Sequence, residues 1–145
     1  MSTRSFIARK TRNGFEGVYC HWDGYVEHNG SILLKHYNDP EKVAKLLSYG
    51  DMSSLSESVG EKHDFEDREQ PWTTYYGRDR GEAHQTVKTK RYKSLEQLKK
   101  YAEEVGCEYF YLFNRGCWQC SVRDPQFFGM SDGSPFSELM PLRLK

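Results

Sequence analysis

Asn13-Gly14, set between two short β-prone runs, constrains this chain more than any other feature. Both residues of such a pair accept positive φ, so it closes a two-residue hairpin whose twist matches its strands. Ser5 to Lys10 alternates and Phe15 to Cys20 reads as the returning strand, so the chain opens on a β-hairpin. A second hairpin follows late in the chain: Glu108 to Phe113, a turn at Asn114-Arg115-Gly116, then Cys117 to Val122.

Helical signals lie between the hairpins. Ile32, Leu33, Leu34 and Tyr37 give one or two helical turns. Asp39-Pro40-Glu41 then starts a second helix, with Asp39 as N-cap and Pro40 in the first position, where its missing N–H costs nothing. Val43, Leu46 and Leu47 form its apolar stripe and Gly50 ends it. The clearest helix opens at Ser94, with Gln97 three residues on as a capping box. Its stripe is Leu95, Leu98, Tyr101, Ala102 and Val105, and Gly106 closes it. Trp72 to Tyr76 and Val87 to Tyr92 are β-prone, with a turn over Gly77 to Gly81. Residues 51–71 are polar and acidic, with only Leu55, Val59 and Phe65 apolar, and are expected as a mobile loop. The tail from Asp124 carries Phe127, Phe128, Phe136, Leu139, Met140 and Leu142 and is expected to fold back onto the body.

These elements predict a single α+β domain spanning 1–145. It is expected to hold a small antiparallel sheet, made of two hairpins plus a middle strand, with helices packed on one face. The length suits one core without disulfides or metal staples. Apolar residues are only 37% of the chain, but 10 Tyr, 8 Phe and 3 Trp compensate, each able to bury about 150–250 Å².

Charge excludes some functions. With 21 basic and 21 acidic residues the net charge is zero, so the chain lacks the basic excess that coating DNA or a membrane requires. Locally the charges separate: Glu57 to Glu69 is acidic, while Arg78 to Lys93 holds six bases and two acids. The absence of an apolar N-terminal run predicts a cytoplasmic protein without a signal peptide or membrane span. Cys20, Cys107, Cys117 and Cys120 are therefore expected as thiols.

Three constellations can carry chemistry. Tyr19-Cys20-His21-Trp22-Asp23-Gly24 offers His21 and Asp23 as an acid–base pair or metal ligands. The plainer reading has Trp22 packing inward and Asp23-Gly24 forming a turn. Arg78-Asp79-Arg80-Gly81-Glu82, beside Tyr75 and Tyr76, could grip a phosphate or carboxylate, or equally form a solvated turn of paired charges. If Asp23, Asp79 and Glu82 converged they would suit a hard divalent cation. Cys117-Trp118-Gln119-Cys120 with Cys20 is a conceivable zinc set, but a strand would point the two C-x-x-C thiols to opposite faces. The run His63-Asp64-Phe65-Glu66-Asp67 reads as a solvated acidic face. No phosphate loop, nucleophile elbow, Rossmann glycine pattern or HExxH helix is present.

The segments S-T-R-S, G-V-Y-C-H-W-D-G-Y, L-L-x-x-Y and G-D-x-S-S-L, with T-T-Y-Y-G-R-D-R-G-E and E-Y-F-Y-L-F-N-R-G-C-W, resemble a family of small uncharacterised phage, prophage and bacterial proteins. The likeness runs from Ser2 to about Trp118, with the acidic loop and the tail outside it. It implies a phage origin and a cytoplasmic accessory role, such as countering a host defence system, and it implies no activity.

The expected function is a non-enzymatic binding module for a host protein or a small nucleotide, with no cofactor. Its ligand-binding residues are expected to be Tyr19, His21, Trp22, Asp23, Tyr76, Arg78 and Arg80. Two alternatives stand beside it. One is a metal-assisted hydrolase of a phosphoester or nucleotide using His21, Asp23, Asp79 and Glu82. The other is a nucleic-acid binder using Arg78 to Lys93, with Cys20, Cys117 and Cys120 the alternative metal ligands.

Overall fold

A computed structural model describes residues 3–67, 69–123 and 136–143. The opening hairpin forms, β1 (Ser5–Thr11) and β2 (Gly14–Cys20) pairing antiparallel, but its two-residue turn is Arg12-Asn13, one residue earlier than expected, and Gly14 pairs with Thr11 as the first residue of β2. A single π-type turn (Val26–Gly30) leads into α1 (Ser31–His36) and α2 (Pro40–Ser48). Asp39 caps α2 by accepting the Glu41 N–H at 2.8 Å. The chain continues through β3 (Met52–Ser54), β4 (Thr74–Tyr75), α3 (Tyr76–Arg80), α4 (His84–Val87) and β5 (Lys90–Tyr92). Helix α5 (Leu95–Glu104) has both halves of the predicted capping box. The second hairpin, β6 (Tyr109–Asn114) and β7 (Cys117–Val122), is followed by β8 (Met140–Pro141).

The α+β class and the two hairpins stand, but the sheet is mixed. Strand β1 pairs β6 in parallel, from Ser5 opposite Tyr109 to Arg9 opposite Phe113, so the two hairpins join side by side at the centre. The order is β4-β3-β2-β1-β6-β7-β8, with β5 also paired to β2. A parallel pair needs a crossover, and the intervening helices supply it.

Helices on one face is likewise corrected: they cover both. Ser5 through Ala8 on β1 and Phe110 through Phe113 on β6 are buried in unbroken runs, the pattern of strands covered on both sides. Ile7, Val18, Cys20, Tyr111 and Trp118 pack with Leu33, Val43, Leu46 and Leu47 of α1 and α2. Phe6, Ala8, Phe110 and Leu112 pack on the other face with Leu98 and Ala102 of α5.

Residues 51–71 are more structured than their composition suggests. They contribute β3, send Leu55 and Val59 into the first core, and are held by Tyr37 Oη donating to the Ser56 carbonyl at 2.8 Å. The turn expected over Gly77 to Gly81 is the short helix α3. In the tail, Phe136 and Leu142 are buried and β8 pairs β7, so the described part folds back. Phe127 and Phe128 lie outside the described residues.

Candidate functional site

Strand β2 is bordered on its outer edge by two short strands rather than one. β5 takes Phe15, Glu16 and Gly17, and β3 takes Cys20. The notch between them is filled by Asp51. Its N–H donates to the Val87 carbonyl at 2.8 Å, its carbonyl accepts from Tyr76 N–H at 3.2 Å, and its Oδ1 accepts from Tyr19 N–H at 3.0 Å. A carboxylate thus replaces a missing strand residue. Gly50 makes this possible. Its φ of 83° is left-handed, and a Cβ there would lie 2.2 Å from the Val87 oxygen.

Tyr19, His21 and Tyr76 gather around this notch. The Tyr19 hydroxyl lies 2.6 Å from His21 Nδ1, and the strand is extended by His21 N–H on the Met52 carbonyl and Trp22 N–H on the Ser53 carbonyl. Burial pushes the Tyr19 phenol well above its usual range, whereas burial and the nearby Arg4 hold the His21 imidazole below its usual value. At neutral pH both groups are uncharged. The phenol is then the better donor and Nδ1 the better acceptor, which leaves the imidazole proton on Nε2. Burial also raises the Tyr76 phenol, opposed by Ser53 and Arg80. The Arg80 guanidinium lies 4.8 Å from the Tyr76 ring and 4.6 Å from that of Phe65, and its Nε donates to Glu82 at 2.7 Å.

Asp51 itself is perturbed. Burial raises its carboxyl to about 6, opposed by the Tyr19 N–H and Lys90 and reinforced by Glu82. Sequence reasoning missed this residue, because an aspartate after a helix-ending glycine looks like ordinary turn chemistry.

The other expected site residues divide. Asp23 has a φ of 57° and its carbonyl accepts the Asn29 N–H, so it is a turn residue as the plainer reading had it. Trp22 departs from that reading: it is 43% exposed and stands edge-on to His21 at 4.7 Å. Asp79 is a buried hub. Its carboxylate accepts from Tyr75 N–H at 2.8 Å, His63 N–H at 3.1 Å and Arg78 Nε at 3.0 Å. Arg78 also donates to the Val59 and Thr73 carbonyls, so its guanidinium fastens the 55–63 segment to α3. His63, expected on a solvated acidic face, is instead buried against Trp72 with its ring between Glu61 O and Thr74 Oγ1. No signal in the sequence marks it out from its acidic neighbours.

Neither expected metal set assembles. Among the described residues no three His, Cys, Asp or Glu side chains are grouped to hold a metal ion. Asp79 is occupied by its three donors, away from Asp23 in its turn. Cys20 pairs with Ser5 at one end of the sheet, while Cys117 pairs with Asn114 at the other. Burial pushes the Cys20 and Cys120 thiols up to about 12, so both remain protonated in the core.

Among the described residues no helix is long and apolar enough to cross a membrane. In comparisons with known proteins, no family model, no curated protein and no solved structure matches the chain.

Proposed function

We propose that the chain is a non-enzymatic binding module that takes a small nucleotide where β2, β3 and α3 meet, in an accessory role of the phage type. One observation carries the reading: Asp51 accepts from the backbone N–H groups of both Tyr19 and Tyr76 at one notch, with His21 against the Tyr19 hydroxyl and Arg80 over the Tyr76 ring. Aromatic faces suit a base, and the outward Nε2–H of His21 with the Arg80 guanidinium suits phosphate oxygens.

The test is isothermal titration with purine and pyrimidine nucleotides. Binding is expected to weaken about tenfold or more in His21→Ala and in Arg80→Ala, the usual scale for losing a charge-assisted bond of about 1.5–3 kcal/mol. Absence of heat and of any melting shift at millimolar nucleotide removes this reading.

Exposed Trp22 favours a second reading, a host-protein partner on the same face, because exposed tryptophan is a common interface anchor. In that case Trp22→Ala abolishes partner capture and leaves the nucleotide titrations silent.

A further inference from the structure

The charges that cancel over the whole chain do not cancel at the hairpin tips. Registers β1–β2, β2–β5 and β1–β6 place Arg91, Glu16, Arg9 and Phe113 in one row across the sheet. Tyr92, Phe15 and Lys10 form the next row. Beyond it project Lys93, Arg12 and Arg115, all exposed and all at turns. Six basic residues therefore share this end with one acid inside the rows, Glu16. Asp39, Glu41 and Glu96 border it at the first turns of α2 and α5.

Glu16 does not neutralise the patch so much as arrange it. It is buried, and its two oxygens accept separately from Arg9 Nε at 2.7 Å and Arg91 Nε at 3.0 Å. Each guanidinium is held by Nε alone. Among the described residues neither has a second hydrogen-bond partner, so their outer nitrogens remain available to an anion. Two clefts flank the Arg12-Asn13 turn. One, of about 420 Å³, is lined by Arg9, Lys10, Phe113, Asn114 and Arg115. The other, of about 260 Å³, is lined by Phe15, Arg91, Tyr92 and Lys93. The smaller cleft combines cations with the half-buried rings of Phe15 and Tyr92, the pairing that recognises a phosphate backbone together with an unstacked base.

We infer that the hairpin tips form a docking surface for single-stranded nucleic acid, distinct from the nucleotide site proposed at the β3 end. The backbone runs over the tip cations and past Arg91 and Lys93, and a base rests against Phe15 and Tyr92 in the smaller cleft that these residues line together. The stretch Arg78 to Lys93, basic as a block in sequence, is split by the fold: Arg78 is spent internally, Arg80 pairs with Glu82, and only Arg91 and Lys93 reach this surface.

The experiment is fluorescence anisotropy of the full chain with a labelled 20-mer oligothymidylate, the matching oligouridylate and a duplex of equal length. Single strands are expected to bind at 50 mM salt. If about four phosphates are neutralised, affinity falls roughly 50-fold by 200 mM salt. The triple variant Arg12→Glu, Lys93→Glu, Arg115→Asn should lose most of the binding with an unchanged melting temperature. Asparagine is used at 115 because the native φ there is 54°. Phe15→Leu should cost about tenfold, the scale of one lost stacking contact. His21→Ala and Arg80→Ala should leave this binding intact, which separates it from the proposed nucleotide site. The inference is overturned by no binding at 50 mM salt, by a flat salt dependence, by a triple variant that binds like the parent, or by a duplex bound as tightly as the single strands.

Discussion

Asp51 shows how one side chain can substitute for backbone. It occupies a strand position without belonging to a strand, and its carboxylate meets the Tyr19 N–H that a continuous neighbour would have met. Burying that charge is unfavourable, which is why its carboxyl rises to about 6 from an ordinary value near 3.8. The sign follows directly. Between those values the folded protein keeps a proton that the unfolded chain has lost, so stability falls as pH climbs from about 4 to about 6 and stays lower above. Asp51→Asn keeps an acceptor for Tyr19 and removes the charge. It is expected to stabilise the protein by about 1–2 kcal/mol at pH 7.5 and to change little at pH 4, after allowance for solvent screening. Thermal unfolding at the two pH values checks this, and parallel pH profiles for parent and variant would sink it. Asn29 is the second residue of this kind. It is wholly buried, its amide nitrogen reaches Ser5 Oγ at 3.2 Å, Cys20 Sγ and the Trp22 carbonyl, and its Oδ1 meets His28 Nδ1 at 2.9 Å. Asn29→Ala leaves those groups unpaired and should cost about 2–3 kcal/mol in urea unfolding. Tyr19, His21, Tyr76 and Arg80 stood out as candidates in the sequence because aromatic and basic side chains beside turns are conspicuous. Asp51 and Asn29 did not, since their roles depend on segments distant in sequence that meet only after folding.

Among the elements, α3 departs furthest from its sequence appearance. Arg78-Asp79-Arg80 reads as an exposed charged turn, yet the middle acid faces inward and gathers donors from Tyr75, His63 and Arg78. The helix therefore acts as a bolt that holds residues 55–63 against the sheet edge, and composition alone could not show it because the partners lie 16 to 19 residues upstream. Asp79→Ala should cost about 3–5 kcal/mol, the range for removing one partner from a buried charged pair. Hydrogen exchange should then accelerate first in residues 55–63, while β1 and β6 stay protected until global unfolding. Uniform acceleration across the sheet would show instead that α3 belongs to the central cooperative unit. The two longer helices teach the opposite lesson. Asp39-Pro40 and the Ser94–Gln97 box named the starts of α2 and α5 because capping is local chemistry, readable without any tertiary contact.

For the molecule as a whole, both hairpins were visible in turn chemistry, whereas their parallel junction and the two-sided helix cover were not. A strand that alternates weakly does not announce which faces are covered, and Ser5 to Ala8 is buried on both. The consequence is one sheet with two cores, one on each face, that share its strands. Cys20 sits in the α1/α2 layer and Cys107 in the α5 layer, and each is fully buried. Burial pushes both thiols far above their usual range, so in the native state each is protected from alkylation by both inaccessibility and protonation. Exposed Cys117 is the internal reference, open in folded and unfolded chains alike. Because β1 contributes Ile7 to one layer and Phe6 to the other, neither layer can open without loosening the shared strand. Pulsed alkylation across a urea series, read site by site by mass spectrometry, should therefore give Cys20 and Cys107 the same midpoint, the mark of all-or-none unfolding. Ile7→Ala, which cuts a cavity only in the α1/α2 layer, should lower both midpoints together, at a cost of about 2–5 kcal/mol. If it lowered the Cys20 midpoint alone, the layers would be separate cooperative units and the central β1–β6 pair too weak to couple them.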